Sequence, residues 1–176
     1  MVRMGTIALV TGGARSGKSM YALKLALPYQ RKFFVATGQA LDGEMTARIE
    51  FHRTTRPPDF QTVEEPVQVV SALAKLGDSA DLVVIDCLTL WVSNLMLSNN
   101  GDDGPILAEA DNLAAALKQA SFASIVVTDE VGSGIVPTDH AESRRFRDLL
   151  GWTNQKIAAV ADQALLMVAG YPLKVK

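Results

Sequence analysis

The chain has 176 residues, with 17 basic and 19 acidic side chains and a formal net charge of -2. That length fits one domain, able to bury roughly 70% of the surface its unfolded chain exposes. With 48% hydrophobic and 20% charged residues it has a globular composition, and the near-neutral charge argues against a general nucleic-acid binder. The single cysteine, Cys87, rules out an internal disulfide and a cysteine-only metal site and suits a reducing compartment.

The first β-branched run, Thr6–Thr11, predicts a strand that enters a Gly-rich turn. Its apolar stretch is too short for a secretory signal, and no segment approaches the ~20 apolar residues of a membrane span. A cytoplasmic protein is the expectation. Further strands are predicted at Lys32–Thr37, Phe60–Glu64, Asp81–Asp86, Ser124–Asp129, Ala164–Val168 and Leu173–Lys176. Helical spacing fills Lys18–Gln30, Asp42–Thr54, Pro66–Leu76 and Ile106–Ala120. Pro66 suits a first helical position, and Gly77 stands just past the end of that helix. The turn formers from Asn99 to Pro105 split two helices, and Gly132 to Pro137 reads as a binding loop after a strand. The runs Leu82–Ile85 and Ile125–Val127 are apolar on both faces, as buried parallel strands are. Alternating strands and helices of this kind predict an α/β sandwich around a mostly parallel sheet, with no linker dividing the chain.

The strongest local motif is Gly12-Gly13-Ala14-Arg15-Ser16-Gly17-Lys18-Ser19, a G-x-x-x-x-G-K-[ST] match between an apolar strand and a helix. Glycines let backbone N–H groups turn inward around phosphate oxygens, and the following helix directs its positive end at them. Lys18 is expected to reach the β/γ phosphates and the Ser19 hydroxyl to ligate Mg²⁺. This predicts a nucleoside triphosphate site. The carboxylate on the Mg²⁺ side should close a neighbouring apolar strand, which leaves Asp86 on one side and Asp129 or Glu130 on the other. Asp86 is preferred because its strand is the more uniformly apolar.

Asn154-Gln155-Lys156 does not match the N-K-x-D guanine-reading motif, and the chain is too short for a transport ATPase with accessory regions. A small-molecule kinase, a nucleotidyltransferase and a regulatory nucleotide-binding module all remain open. The segment Asp42 to Pro58, read as a helix capped by Asp42, aligns Glu44, Arg48 and His52 on one face, with Arg53 and Arg56 following. Cations nearby favour the uncharged imidazole, the form that attacks, and arginines neutralise phosphoryl charge in a transition state. By chemistry alone, a solvated helix histidine is the competing account of His52.

Four stretches together resemble a known family. They are VTGGARSGKS (Val10–Ser19), ATGQALDGEMTARIEFHRTTRP (Ala36–Pro57), VIDCLTLWVSNLML (Val84–Leu97) and EVGSGIVPTDHAESRRFRDLLGWTNQKIA (Glu130–Ala158). The C-terminal GYPLKVK (Gly170–Lys176) fits as well. The chain is similar to the bifunctional adenosylcobinamide kinase / adenosylcobinamide-phosphate guanylyltransferase family of cobalamin biosynthesis, in the family's order and over nearly the whole length. The resemblance implies one P-loop, RecA-like, three-layer catalytic domain over residues 1–176 with two activities. One phosphorylates adenosylcobinamide with ATP or GTP. The other transfers GMP from GTP to the product, through a GMP–histidine intermediate that the R-I-x-x-H-R pattern assigns to His52.

By the same resemblance, nucleotide contacts fall on Gly12 through Ser19, then Thr37, Gly38 and Gln39, then Arg53, Thr54, Thr55 and Arg56, and finally Glu64 and Asp86. Ser19 and Asp86 are the implied Mg²⁺ ligands, with Lys18 and His52 catalytic. A homo-oligomer is expected, since members are often trimeric. Asp86, Glu64 and Glu130 each remain open as base for the kinase step. His140 lies outside the motif and is expected at the surface or at a helix start. Two departures stand out: Phe60 occupies a position where many members carry tryptophan, and Thr138–Ser143 is slightly longer than the family pattern.

Overall fold

The computed structural model describes residues 5–99, 101–134 and 139–176, without the side chain of Arg48. Seven strands form one sheet: β1 (Ile7–Gly12), β2 (Lys32–Ala36), β3 (Phe60–Glu64), β4 (Leu82–Asp86), β5 (Ala123–Val127), β6 (Gln163–Val168) and β7 (Tyr171–Lys174). Among the described residues six α-helices accompany them: α1 (Lys18–Leu25), α2 (Gly43–Thr55), α3 (Val69–Leu76), α4 (Leu88–Ser98), α5 (Gly104–Gln119) and α6 (Ala141–Val160). The strand order is β3-β2-β4-β5-β1-β6-β7. Every neighbouring pair is parallel except β6 and β7, which run antiparallel.

The four central strands are buried almost throughout, which explains their apolar runs: a strand covered on both faces has no polar side to show. Alternate residues feed two cores. Leu9, Val35, Ile85 and Val126 pack with Leu73, Trp91, Leu113 and Leu149 from α3, α4, α5 and α6. Val10, Phe34, Val84 and Ile125 pack with Ala22 and Ala26 of the α1 segment on the other face. The architecture is a three-layer α/β sandwich around a mostly parallel sheet. Edge strands β3 and β7 are largely exposed. Among the described residues no helix is long and apolar enough to cross a membrane.

Several boundaries differ from the sequence reading for local reasons. Helix α1 stops at Leu25 rather than Gln30, because Pro28 cannot donate a helical N–H. Helix α3 starts at Val69 rather than Pro66, because the Glu65 carboxylate accepts hydrogen bonds from the Val67 and Gln68 amides and holds them outside the helix. Gly77, with φ 44, ends it as expected. Helix α5 begins two residues earlier than expected, with Pro105 in its first turn. The last hairpin turns through Ala169 and Gly170, both at positive φ, as a two-residue connection between twisted strands requires. The predicted loop from Gly132 to Pro137 falls partly outside the described residues, as does Thr138. His140 is exposed at the N-terminal boundary of α6.

One row of the sheet positions the site. Glu64, Ala36, Asp86, Val127 and Val10 are register partners across five strands, so the segments that follow them leave the sheet along one rim. Open α/β sheets place ligands at this carboxyl rim.

Candidate active site

The glycine-rich loop leaves β1 at Gly12 and enters α1 at Lys18. Gly12 has φ 147, and a Cβ there would sit 2.6 Å from the Met167 carbonyl oxygen, so no other residue fits. Gly17, at φ 95, stands at the N-terminus of α1, where no side chain caps the helix. The loop is closed by Ser16 N–H donating to the Gly13 carbonyl at 3.2 Å, while Gly170 N–H donates to the Ser16 carbonyl at 3.0 Å. The Ser16 hydroxyl is buried without a partner. An uncapped helix start and an orphaned hydroxyl in one glycine loop form a site short of an acceptor, which is what a phosphate supplies. Gly13, Ala14 and Arg15 are exposed on this loop.

Lys18 is buried, and its ammonium donates to the Gly13 carbonyl at 2.7 Å and pairs with Asp129 at 2.5 Å. Asp86 pairs instead with the Ser19 hydroxyl. The two strand-end carboxylates, alternatives in the sequence, thus both reach the loop and serve different partners. Surrounding protein raises the Asp86 carboxyl above its ordinary range although one edge still reaches solvent. The Ser19 hydrogen bond and the neighbouring His52 ring work against that rise, Asp129 adds to it, and Lys18 opposes it. Oxygen donors on Ser19 and Asp86 suit a hard cation such as Mg²⁺, which takes few protein ligands and completes its shell with phosphate and water.

Helix α2 brings the remaining groups. Asp42 caps it by accepting from the Met45 amide at 2.7 Å. Its last turns carry His52 and Thr55 to a cleft of about 60 Å³, whose walls also include Ser19, Phe34, Arg56 and Asp86. The Arg56 guanidinium lies 3.6 Å over the Phe34 ring and donates to the Thr62 hydroxyl at 2.6 Å. Burial lowers its pKa, Asp86 and Glu64 oppose that, and Arg53 adds to it. Phe60 meets the Phe34 ring edge-on. A larger cleft of about 410 Å³ opens where α4 ends and α5 begins, and it contains none of these groups.

Ser19, His52, Thr55, Arg56 and Asp86 are therefore brought together around one cleft. Glu64 and Arg53 reach it through their charge on Arg56. The Thr54 and Thr55 hydroxyls bond back into the carbonyls of α2. Gly38 lies under Ile49 of α2, Gln39 is partly exposed, and Thr37 is fully buried. Sequence reasoning did not commit to Asp129 or find its supports. The Asp129 amide donates to the Thr89 hydroxyl at 3.0 Å, and Asn154 joins the Thr128 hydroxyl to the Asp129 carbonyl. The apolar strand before Asp129 was a usable signal, whereas nothing local marks Thr89 or Asn154. Cys87 is buried with its thiol pushed up to about 12 by desolvation, which keeps it protonated and inert.

Known proteins resemble this chain over nearly its whole length. Residues 8–175 match the family model for cobinamide kinase / cobinamide phosphate guanyltransferase. The chain is 39% identical, over 96% of its length and 98% of the relative, to the bifunctional adenosylcobalamin biosynthesis protein CobU of Escherichia coli K12. It is 38% identical, over 96% of both chains, to the bifunctional adenosylcobalamin biosynthesis protein CobP of Pseudomonas aeruginosa. The CobU protein of Salmonella typhimurium is 37% identical over 96% of this chain and 98% of its own. Matches of this extent, beside a glycine loop whose cleft holds Asp86 and the helix-borne His52, mean that the chain belongs to the cobinamide kinase / cobinamide phosphate guanyltransferase family, enzymes that are both kinases and nucleotidyltransferases.

Proposed function

We propose that both activities use one P-loop site of RecA-like type, and that guanylyl transfer proceeds through His52. The observation that supports this is the common cleft of His52, Ser19, Asp86 and Arg56 beside the glycine loop. The substrate of the first step is adenosylcobinamide, with ATP or GTP as phosphoryl donor. In the second step an uncharged His52 ring nitrogen attacks the α-phosphorus of GTP, and the bond from that phosphorus to the pyrophosphate oxygen breaks. Loop amides and Lys18 stabilise the charge leaving on pyrophosphate, and Arg53 or Arg56 clamps the α-phosphoryl group as it is transferred. A phosphate oxygen of adenosylcobinamide phosphate then attacks the same phosphorus, and the bond to His52 breaks, giving adenosylcobinamide-GDP.

Ser19 and Asp86 are the residues that would hold Mg²⁺, whose bound charge neutralises phosphate oxygens. For the kinase step, Asp86, Glu64 and Glu130 remain the candidate bases. The Glu130 carboxylate already accepts from the Thr11 hydroxyl at 3.0 Å.

The test uses GTP labelled at the α-phosphate. Wild-type protein should acquire a protein-bound label that is acid-labile and alkali-stable. His52→Ala should acquire none, and should lose guanylyl transfer by on the order of 10³-fold or more while keeping kinase turnover. Label in His52→Ala, or no label in wild-type protein that demonstrably binds GTP, would overturn the histidine mechanism.

A further inference from the structure

Thr37 follows the last paired residue of β2 and is fully buried. Its hydroxyl donates to the Cys87 carbonyl at 2.7 Å and accepts from the Cys87 amide at 2.8 Å. Its own amide donates to the Asp86 carbonyl at 3.2 Å. Behind it, the amide of Asn94, only 6% exposed, donates to the Thr37 carbonyl at 2.8 Å and to the Pro66 carbonyl at 2.9 Å. Together these bonds bracket the point where β4 hands over to α4. The ladder between β2 and β4 ends at the Ala36–Asp86 pair, and beyond it the Cys87 amide and carbonyl have no strand partner. One side-chain oxygen satisfies both, and the same carbonyl accepts from Trp91 to open α4.

We infer that Thr37 is a positioning residue for the Asp86 carboxylate: its hydroxyl pins the backbone on which that carboxylate stands, and Asn94 pins Thr37. The hydroxyl's one proton is committed to Cys87, so Thr37 serves the nucleotide through Asp86 rather than by touching phosphate. The inference rests on the reading of Asp86 as the Mg²⁺-side carboxylate paired with Ser19. A misplacement of about 1 Å at such a group lowers function on the order of 10²-fold, so a backbone clamp one residue away is consequential.

The test measures equilibrium binding of a GTP analogue with a methylene between the α and β phosphorus atoms, which blocks guanylyl transfer, in Mg²⁺ and in EDTA. Wild-type protein should bind more tightly with Mg²⁺. Thr37→Val, which keeps the shape and removes the hydroxyl, should lose about 10-fold or more of that tightening while its affinity in EDTA stays within about twofold. Thr37→Ser, which restores the hydroxyl, should restore the Mg²⁺ effect. A merely structural role would lower the unfolding temperature of Thr37→Val and leave the Mg²⁺ effect intact. A direct phosphate contact would weaken binding in EDTA as well. Either result overturns the inference.

Asp86→Asn separates this inference from the reading beneath it. If Asp86→Asn keeps the full Mg²⁺ effect, the assignment of Asp86 fails and takes the inference with it. If Asp86→Asn loses the effect and Thr37→Val keeps it, the inference alone fails. Should Thr37→Val not fold, Thr37→Cys carries the same comparison with a weaker donor: an intermediate loss supports the bracket, and an unchanged Mg²⁺ effect overturns it.

Discussion

Burying a carboxylate at the end of β4 works against folding, because the charged form of Asp86 gives up water for partners that replace it incompletely. The raised pKa makes the native state bind more protons than the unfolded chain between the unfolded and native values. Stability contributed by this group is therefore present below the unfolded value and falls as pH rises through that window. In EDTA and without nucleotide, Asp86→Asn should unfold at a higher temperature than wild-type protein at neutral pH, by about 2–4 °C for each kcal/mol recovered. The gap should close as pH falls below the ordinary carboxylate range. Calorimetry across pH checks this, and a gap independent of pH would exclude the burial account. At this scale the sequence announced the loop from Gly12 to Ser19 plainly, because its chemistry lies in contiguous residues. It preferred Asp86 over Asp129 or Glu130 only on the apolar uniformity of its strand, since both strands end in a carboxylate. Only their partners, Ser19 for one and Lys18 for the other, distinguish them, and partnership depends on strand order.

Helix α2 carries the proposed nucleophile yet buries none of its described side chains. Its stability thus rests on local terms more than on tertiary packing, which is the usual source of helical stability in proteins. The Asp42 cap is one of the few such terms visible, typically worth about 1 kcal/mol. Asp42→Ala should accelerate amide exchange in the first turns of α2 by about fivefold while the global unfolding temperature stays nearly constant. Hydrogen exchange read by mass spectrometry checks this, and an equal change across the central strands would show instead that α2 unfolds only with the whole protein. The helix and its cap were legible from Asp42 and the spacing of Glu44, Arg48 and His52. Its exposure was not, because amphipathic spacing does not say whether a neighbour exists to cover the apolar side. The late start of α3 was equally hidden, since it depends on the Glu65 side chain outbidding the helix for two amides.

At the scale of the whole molecule, the buried parallel strands were readable in Leu82–Ile85 and Ile125–Val127, whose two faces are both apolar. Their lateral order was not, because any of several crossovers buries the same residues. That order has a consequence for synthesis. Among the described residues β1 pairs only with β5 and β6, so this strand has no partner until residues near 123 and 163 have been made. At cellular elongation rates that interval is roughly 10 s. Meanwhile β2 pairs with β3 on one side and β4 on the other, and these three complete one side of the sheet without it. Ribosome-bound chains exposing residues 1–120 should fail to be retained on immobilised GTP, whereas chains exposing residues 1–174 should be retained. Retention of the shorter chains would show that the glycine loop acquires its shape locally. On this topology, the nascent polypeptide carries its nucleotide motif unfolded until β5 and β6 emerge, open to chaperones and proteases in the interval, and gains the ability to recognise a nucleotide only once those strands have been made.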